Sequence, residues 1–167
     1  MRTVIGVMGG AIASEPVLAD ARRIGELIAE NGWVLLTGGR DSGVMAAASE
    51  GASSSGGLVL GILPGGSASD AAPGVDIAIP TGMGDARNAI NVLASHVVVA
   101  LPGGAGTISE IALALKAGRP VVLLGFPLGG EFAPYYAHGL LVDAESPEVA
   151  LGVVTAFLGH EPNTPTT

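Results

Sequence analysis

Glu110 closes the run Pro102-Gly103-Gly104-Ala105-Gly106-Thr107-Ile108-Ser109-Glu110, and Arg87 lies about two dozen residues upstream. A carboxylate beside a bound ligand can act as general acid or base. Thr107-x-x-Glu110 is also a capping box, in which hydroxyl and carboxylate satisfy orphan N–H groups of a helix start. Capping accounts for both residues without any ligand, so the spacing leaves the role of Glu110 open. It does not account for Gly103, Gly104 and Gly106 in front. Glycines there let backbone N–H groups approach a ligand with no side chain in the way. A helix behind such a turn aims its unpaired N–H groups and positive dipole end at one point, where a phosphate needs no basic side chain.

Arg87 follows Asp85 closely, which places it in the first turn of a helix that Asp85 caps and that runs through Leu93. A cation there opposes the dipole by a few tenths to about 1 kcal/mol, and a bound anion would reverse that sign. An ion pair with Asp85 or another acid is the plainer reading. Asn88 and Asn91 on the same turns offer amides to a ligand or to the local backbone. Arg40, before the Ser42-Gly43 helix start, reads as solvated.

These residues need a scaffold. Apolar strands are expected at Thr3–Met8, Trp33–Thr37, Leu58–Leu63, Val75–Pro80, Val97–Ala100 and Pro120–Leu124. Helical spacing of Val17, Ile24, Leu27 and Ile28 follows the Ser14-Glu15-Pro16 start signal, and Asn31-Gly32 ends that helix. An Ala-rich helix follows Ser42, and a last helix runs from Ser146-Pro147 to Gly159. The small, acidic segment Ser67–Gly74 reads as a mobile loop, and the Pro/Thr-rich tail 161–167 as disordered.

Strand alternating with helix predicts a doubly wound, Rossmann-like α/β fold: one domain over 1–160, its parallel sheet covered on both faces by helices. Glycine pairs follow strand after strand: Gly9-Gly10, Gly38-Gly39, Gly65-Gly66 and Gly103-Gly104. Strand C-termini of a parallel sheet share one edge, where such folds bind ligands. The candidate ligand-binding residues are therefore Gly9, Gly10, Gly38, Gly39, Gly43, Arg87, Asn88, Gly103, Gly104, Gly106 and Thr107. Arg87 and Glu110 are the catalytic candidates if the protein is an enzyme.

Composition narrows the chemistry. Cys is absent, and His96, His138 and His160 are scattered, so no protein-bound metal site is expected. His96, opening a buried strand, reads as structural. A net charge of −8 argues against a nucleic-acid binder, and no apolar run is long enough to span a bilayer. With no signal segment, a cytoplasmic location is the expectation. The single lysine, Lys116, lies well past the glycines, so the Walker pattern is missing. A pyridoxal phosphate enzyme would have no other lysine to use.

The stretch 102–110 resembles the PGGxGTxxE signature of the Lonely guy superfamily, long mislabelled as lysine decarboxylases. The similarity extends to Thr37-Gly38-Gly39, Gly43-Val44-Met45 and Gly84-Asp85-Ala86-Arg87-Asn88. The segment Ala86–Val92 is most similar to the molybdenum cofactor carrier branch. The resemblance implies a Rossmann-like homodimer or homotetramer that binds a small phosphorylated heterocycle. In the enzymes the ligand is a nucleoside 5′-monophosphate, and an Arg and the signature Glu help cleave its N-glycosidic bond, freeing base and ribose 5-phosphate. Arg87 and Glu110 match those positions, but Asn88 stands where the enzymes carry Lys. The carrier branch binds the molybdenum cofactor, a pterin with a phosphate and a dithiolene-bound oxomolybdenum group. The expectation is a carrier with that cofactor as cargo; the alternative is a phosphoribohydrolase, and a nucleotide sensor ranks last because no effector domain is evident.

Overall fold

The computed structural model describes residues 1–159. Among these residues seven parallel strands form one sheet: β1 (Val4–Met8), β2 (Val34–Thr37), β3 (Leu58–Leu63), β4 (Ile77–Pro80), β5 (Val97–Ala100), β6 (Val121–Leu124) and β7 (Leu141–Ala144). Their order is β4-β3-β2-β1-β5-β6-β7. The helices are α1 (Glu15–Glu30), α2 (Gly43–Ser54), α3 (Asn88–Ala94), α4 (Ala105–Lys116), α5 (Ala133–Ala137) and α6 (Pro147–Gly159). The doubly wound sheet is the one the strand–helix alternation calls for. The tail 161–167 and His160 lie outside the described residues.

Alternate strand residues enter two cores, one on each face, as the period of two requires. Ile5, Val7, Leu35, Val59, Val97 and Val99 pack with α1, α2 and α6. Met8, Leu36, Ile62, Val98, Ala100 and Val121 pack with α3 and α4. Each such fully buried aliphatic chain contributes about 1.5–3 kcal/mol. The first face is drawn tight by glycine: a Cβ on Gly25 would collide with the Ala48 carbonyl, and one on Gly51 with the Arg22 carbonyl.

Three expectations are corrected. A seventh strand, β7, and the short α5 fill the stretch between β6 and the last helix. Their signal was weak, since β7 is four residues long and half of it is not buried. Asp85 does not cap a helix: Gly84–Arg87 is a 3-10 turn with Met83 before it, and α3 starts only at Asn88. The segment Ser67–Gly74 is tied down by its backbone. Its residues Ala68–Asp70 form a 3-10 turn, Asp41 N–H donates to the Asp70 carbonyl, and Ala72 N–H donates to the Gly39 carbonyl.

Candidate functional site

β1 and β5 lie side by side, with Met8 opposite Ala100. The chain leaving β1 enters α1 on one face of the sheet, and the chain leaving β5 enters α4 on the other. This divergence opens a crevice at the strand C-termini, the usual ligand position in an open α/β sheet. A cleft of about 200 Å³ occupies it, lined by Met8, Gly9, Gly10, Gly38, Arg40, Met45, Arg87, Asn88, Gly104, Gly106, Thr107 and Glu110, among others.

One wall is backbone. Gly10 N–H donates to the Pro102 carbonyl at 3.1 Å and the Val44 N–H to the Gly10 carbonyl at 3.0 Å, which fastens the loop after β1 to its neighbours. A Cβ on Gly9 would meet Val44, and one on Gly10 the Ile12 carbonyl. Helix α4 starts at Ala105 with Gly104 as its N-cap, and no side chain caps it. Its first N–H groups have no partner within the helix, and Gly104, Gly106 and Thr107 line the cleft. This start revises the capping-box reading. Thr107 is the third helical residue rather than the cap, and Glu110 falls in the second turn.

The other wall is side chains. Arg87, Glu110, Asn88 and Thr107 are each less than 8% exposed, and Asn91 is fully buried. Glu110 does not reach back to the helix start. Its Oε1 accepts from Asn91 Nδ2 at 2.7 Å and stands 3.9 Å from Arg87 Nη1. Arg87 packs over Gly38, where a Cβ would stand 2.6 Å from Nη1 and 2.7 Å from Met45 Sδ. Glycine at 38 is what makes room for the guanidinium. Arg87 Nε and Nη1 and Asn91 Oδ1 have no hydrogen-bond partner. Burial raises the Glu110 carboxyl above its ordinary range, while the Asn91 amide and Arg87 oppose the rise. Burial likewise lowers Arg87; Glu110 opposes this and Arg40 adds to it.

Asn88 lines the cleft but spends its amide on structure: Nδ2 donates to Ser109 Oγ at 2.9 Å, and Ser109 Oγ donates to the Gly106 carbonyl at 2.7 Å. That chain ties α3 to the first turn of α4.

The structure thus brings Gly9, Gly10, Gly38, Gly104, Gly106, Arg87, Asn88, Thr107 and Glu110 to one cleft. Gly39, Gly43 and Gly103 shape it from behind. Gly39 and Gly43 have φ of +76° and +50°, and a Gly103 Cβ would strike Thr107 Oγ1. Gly65 and Gly66 do not line the cleft; Gly82 N–H donates to the Gly65 carbonyl beside β4. Arg40, expected to be solvated, is exposed yet lines the cleft, and forms no ion pair among the described residues. Met8 and Met45 were not singled out, because a methionine in a strand or an Ala-rich helix reads as core. Asn91 supports Glu110 from behind rather than lining the cleft.

The other candidates are accounted for locally. His96 Nδ1 accepts from Val4 N–H at 3.1 Å. Lys116 is exposed at the end of α4. Among the described residues no group of three or more His, Cys, Asp or Glu could hold a metal ion, and no helix is long and apolar enough to cross a membrane.

Fold and site together define a doubly wound α/β protein with a glycine-lined cleft at its switch point. The chain matches the SLOG cluster4 family over residues 2–151 and belongs to that family. It is similar in fold to the molybdenum cofactor binding protein of the phototrophic bacterium Rippkaea orientalis, with 46% identity and a TM-score of 0.88 over 95% of this chain and 98% of that one. The molybdenum cofactor carrier protein of Chlamydomonas reinhardtii is 45% identical, with a TM-score of 0.88 over 96% of this chain and all of the other. An uncharacterised protein of Archaeoglobus fulgidus is 49% identical over 126 residues, 74% of this chain and 81% of that one.

Proposed function

We propose that this protein binds the molybdenum cofactor and acts as its carrier. The observation that carries the reading is the uncapped N-terminus of α4 in one cleft with a buried Arg87 whose Nε and Nη1 have no hydrogen-bond partner. Unmet donors at a cleft mouth suit an anionic ligand rather than a neutral one. The phosphate sits at Gly104, Gly106 and Thr107, where backbone N–H groups take its oxygens. Relatives named as a molybdenum cofactor binding protein, at 46% identity, and a molybdenum cofactor carrier protein, at 45%, support the choice of cargo. Purified protein incubated with the cofactor is expected to form a stoichiometric complex that protects it from oxidation. Binding no better than that of an unrelated acidic protein contradicts the reading.

A second reading is favoured by one specific contact. Arg87 and Glu110 lie 3.9 Å apart in a buried setting, and a carboxyl raised by burial suits a general acid. A phosphoribohydrolase would use Arg87 to steady the ribose phosphate and Glu110 to aid departure of the base. Asn88, with its amide committed to Ser109, supplies no second cation. A panel of nucleoside monophosphates assayed for free base decides between the readings.

The protein also works as a homo-oligomer in this proposal. Leu93 and Leu113 lie exposed on α3 and α4, flanking a surface groove with Val92 and Ala117. Sedimentation equilibrium checks it.

A further inference from the structure

Glu110 stands between two partners at unequal distances. Its Oε1 accepts from Asn91 Nδ2 at 2.7 Å, while Arg87 Nη1 is 3.9 Å away. The first contact is a hydrogen bond; the second is too long to be one. A shift of roughly 1 Å would give Glu110 a charge-assisted bond to the guanidinium. Hydrogen bonding on the arginine side does not oppose that closure, since Arg87 Nε and Nη1 have no hydrogen-bond partner. Both side chains are buried, where opposite charges attract strongly. A pair left open in such a setting needs a restraint.

The fold puts Asn91 in the place to supply it. Arg87 and Asn91 are four residues apart across the start of α3, so they share one face of the turn, and Glu110 comes from α4. The Asn91 carbonyl accepts from Ser95 Oγ at 2.8 Å. Ser95 fits against β1 because residue 6 is glycine; a Cβ there would collide with Ser95 Oγ. The Asn91 amide nitrogen faces Glu110 and also Met8 Sδ, at 3.9 Å. Its Oδ1 is left buried with no hydrogen-bond partner. Turning the amide over would set that oxygen against the Glu110 oxygen. An unpaired buried carbonyl is costly, and a leucine of similar size would avoid the cost. A residue that breaks the local rule in this way is one whose other atom has a task. Burial raises the Glu110 carboxyl, and the Asn91 bond opposes the rise more than Arg87 does.

We infer that Asn91 is a positioning residue that holds Glu110 off Arg87, and so keeps the guanidinium from being neutralised within the protein. Arg87 lies over Gly38 beside Met45 Sδ, which leaves Glu110 as the movable member of the pair. Without the Asn91 amide, Glu110 closes on Arg87, and a ligand has to displace a carboxylate to reach the cation. Asn91 acts from behind, through Glu110, and is not among the residues lining the cleft. The inference rests on the carrier reading only where it concerns affinity for the cofactor.

Two measurements on the full chain test it. Crystal structures of Asn91→Leu, or of Asn91→Ser if the leucine variant does not fold, are expected to show the Glu110–Arg87 separation shortened from 3.9 Å to hydrogen-bond distance. An unchanged separation overturns the inference, whatever the protein binds. In solution, affinity for the molybdenum cofactor is expected to fall about tenfold on the same substitution. In a Glu110→Gln background it is expected to change less than about twofold, because a neutral side chain does not close on Arg87. An equal change in both backgrounds, or none in either, makes Asn91 part of the frame and overturns the inference with the carrier reading intact. If the wild type binds no cofactor, the carrier reading fails, and the separation seen in the variants decides the inference by itself.

Discussion

The two walls of the cleft are built on different principles. The wall of Gly9, Gly10, Gly104 and Gly106 consists of backbone held by bonds between loops, such as Gly10 N–H to the Pro102 carbonyl. The wall of Arg87, Asn88 and Glu110 consists of charged and amide groups carried into the interior by the 3-10 turn before α3, by α3 and by α4. The first wall offers donors whose charge state never changes. The second holds buried ionisable groups at a desolvation cost that a hydrogen bond and an ion pair only partly offset. Shape is stored in the glycines, and charge, together with any pH dependence, is stored in the side chains.

The largest effect is expected directly behind the backbone wall. Gly43 has φ +50°, and a Cβ there collides with the Gly10 and Ala11 carbonyls. Gly43→Val is expected to destabilise the protein by about 4 kcal/mol or more, measured by urea unfolding. A loss under about 1 kcal/mol would show that the wall yields, and the contrast between the walls would break.

Next comes Arg87→Ala, which leaves Glu110 buried without its cation. At neutral pH a loss of about 2 kcal/mol is expected, below the usual range for a severed buried pair because the contact is long. Cofactor binding should fall about 100-fold. Binding retained at the wild-type level would place the ligand on the backbone wall alone.

Glu110→Gln isolates the ionisable part. Because burial raises the folded carboxyl above 4.5, its favourable contribution is fully present below that value and is lost as pH rises through the raised one. The glutamine variant lacks this loss. The stability difference, variant minus wild type, is therefore expected to grow with pH across that window in a series of denaturation curves. Parallel curves would mean that Glu110 titrates as in the unfolded chain.

The smallest stability effect belongs to Arg40→Ala. Arg40 is exposed and without an ion pair, so thermal unfolding should move by less than about 0.5 kcal/mol. Its effect should appear in cofactor affinity only. A large drop in stability would make it part of the frame.

The backbone wall was legible in the sequence because glycine pairs after apolar runs are local signals. The side-chain wall was legible only as separate residues. Thr107 and Glu110 have capping-box spacing, yet α4 begins two residues before Thr107, so the spacing described a helix start that is not there. Asn91 was open between a ligand and the local backbone, and its amide instead supports Glu110. Arg40 looked solvated and lines the cleft; Met8 and Met45 were not singled out and line it too. β7 was missed because a four-residue strand at the sheet edge carries too few buried positions to show a period.

By itself the sequence determined the parallel doubly wound sheet, the glycine rim and the signature around Glu110, because apolar period and turn chemistry act over a few residues. Only the tertiary structure decided that Arg87 lies over Gly38, that Glu110 faces Arg87 and Asn91, and that Gly39, Gly43 and Gly103 stand behind the surface. Those relations join residues tens of positions apart through the strand order. No local pattern encodes which strand ends meet at a switch point.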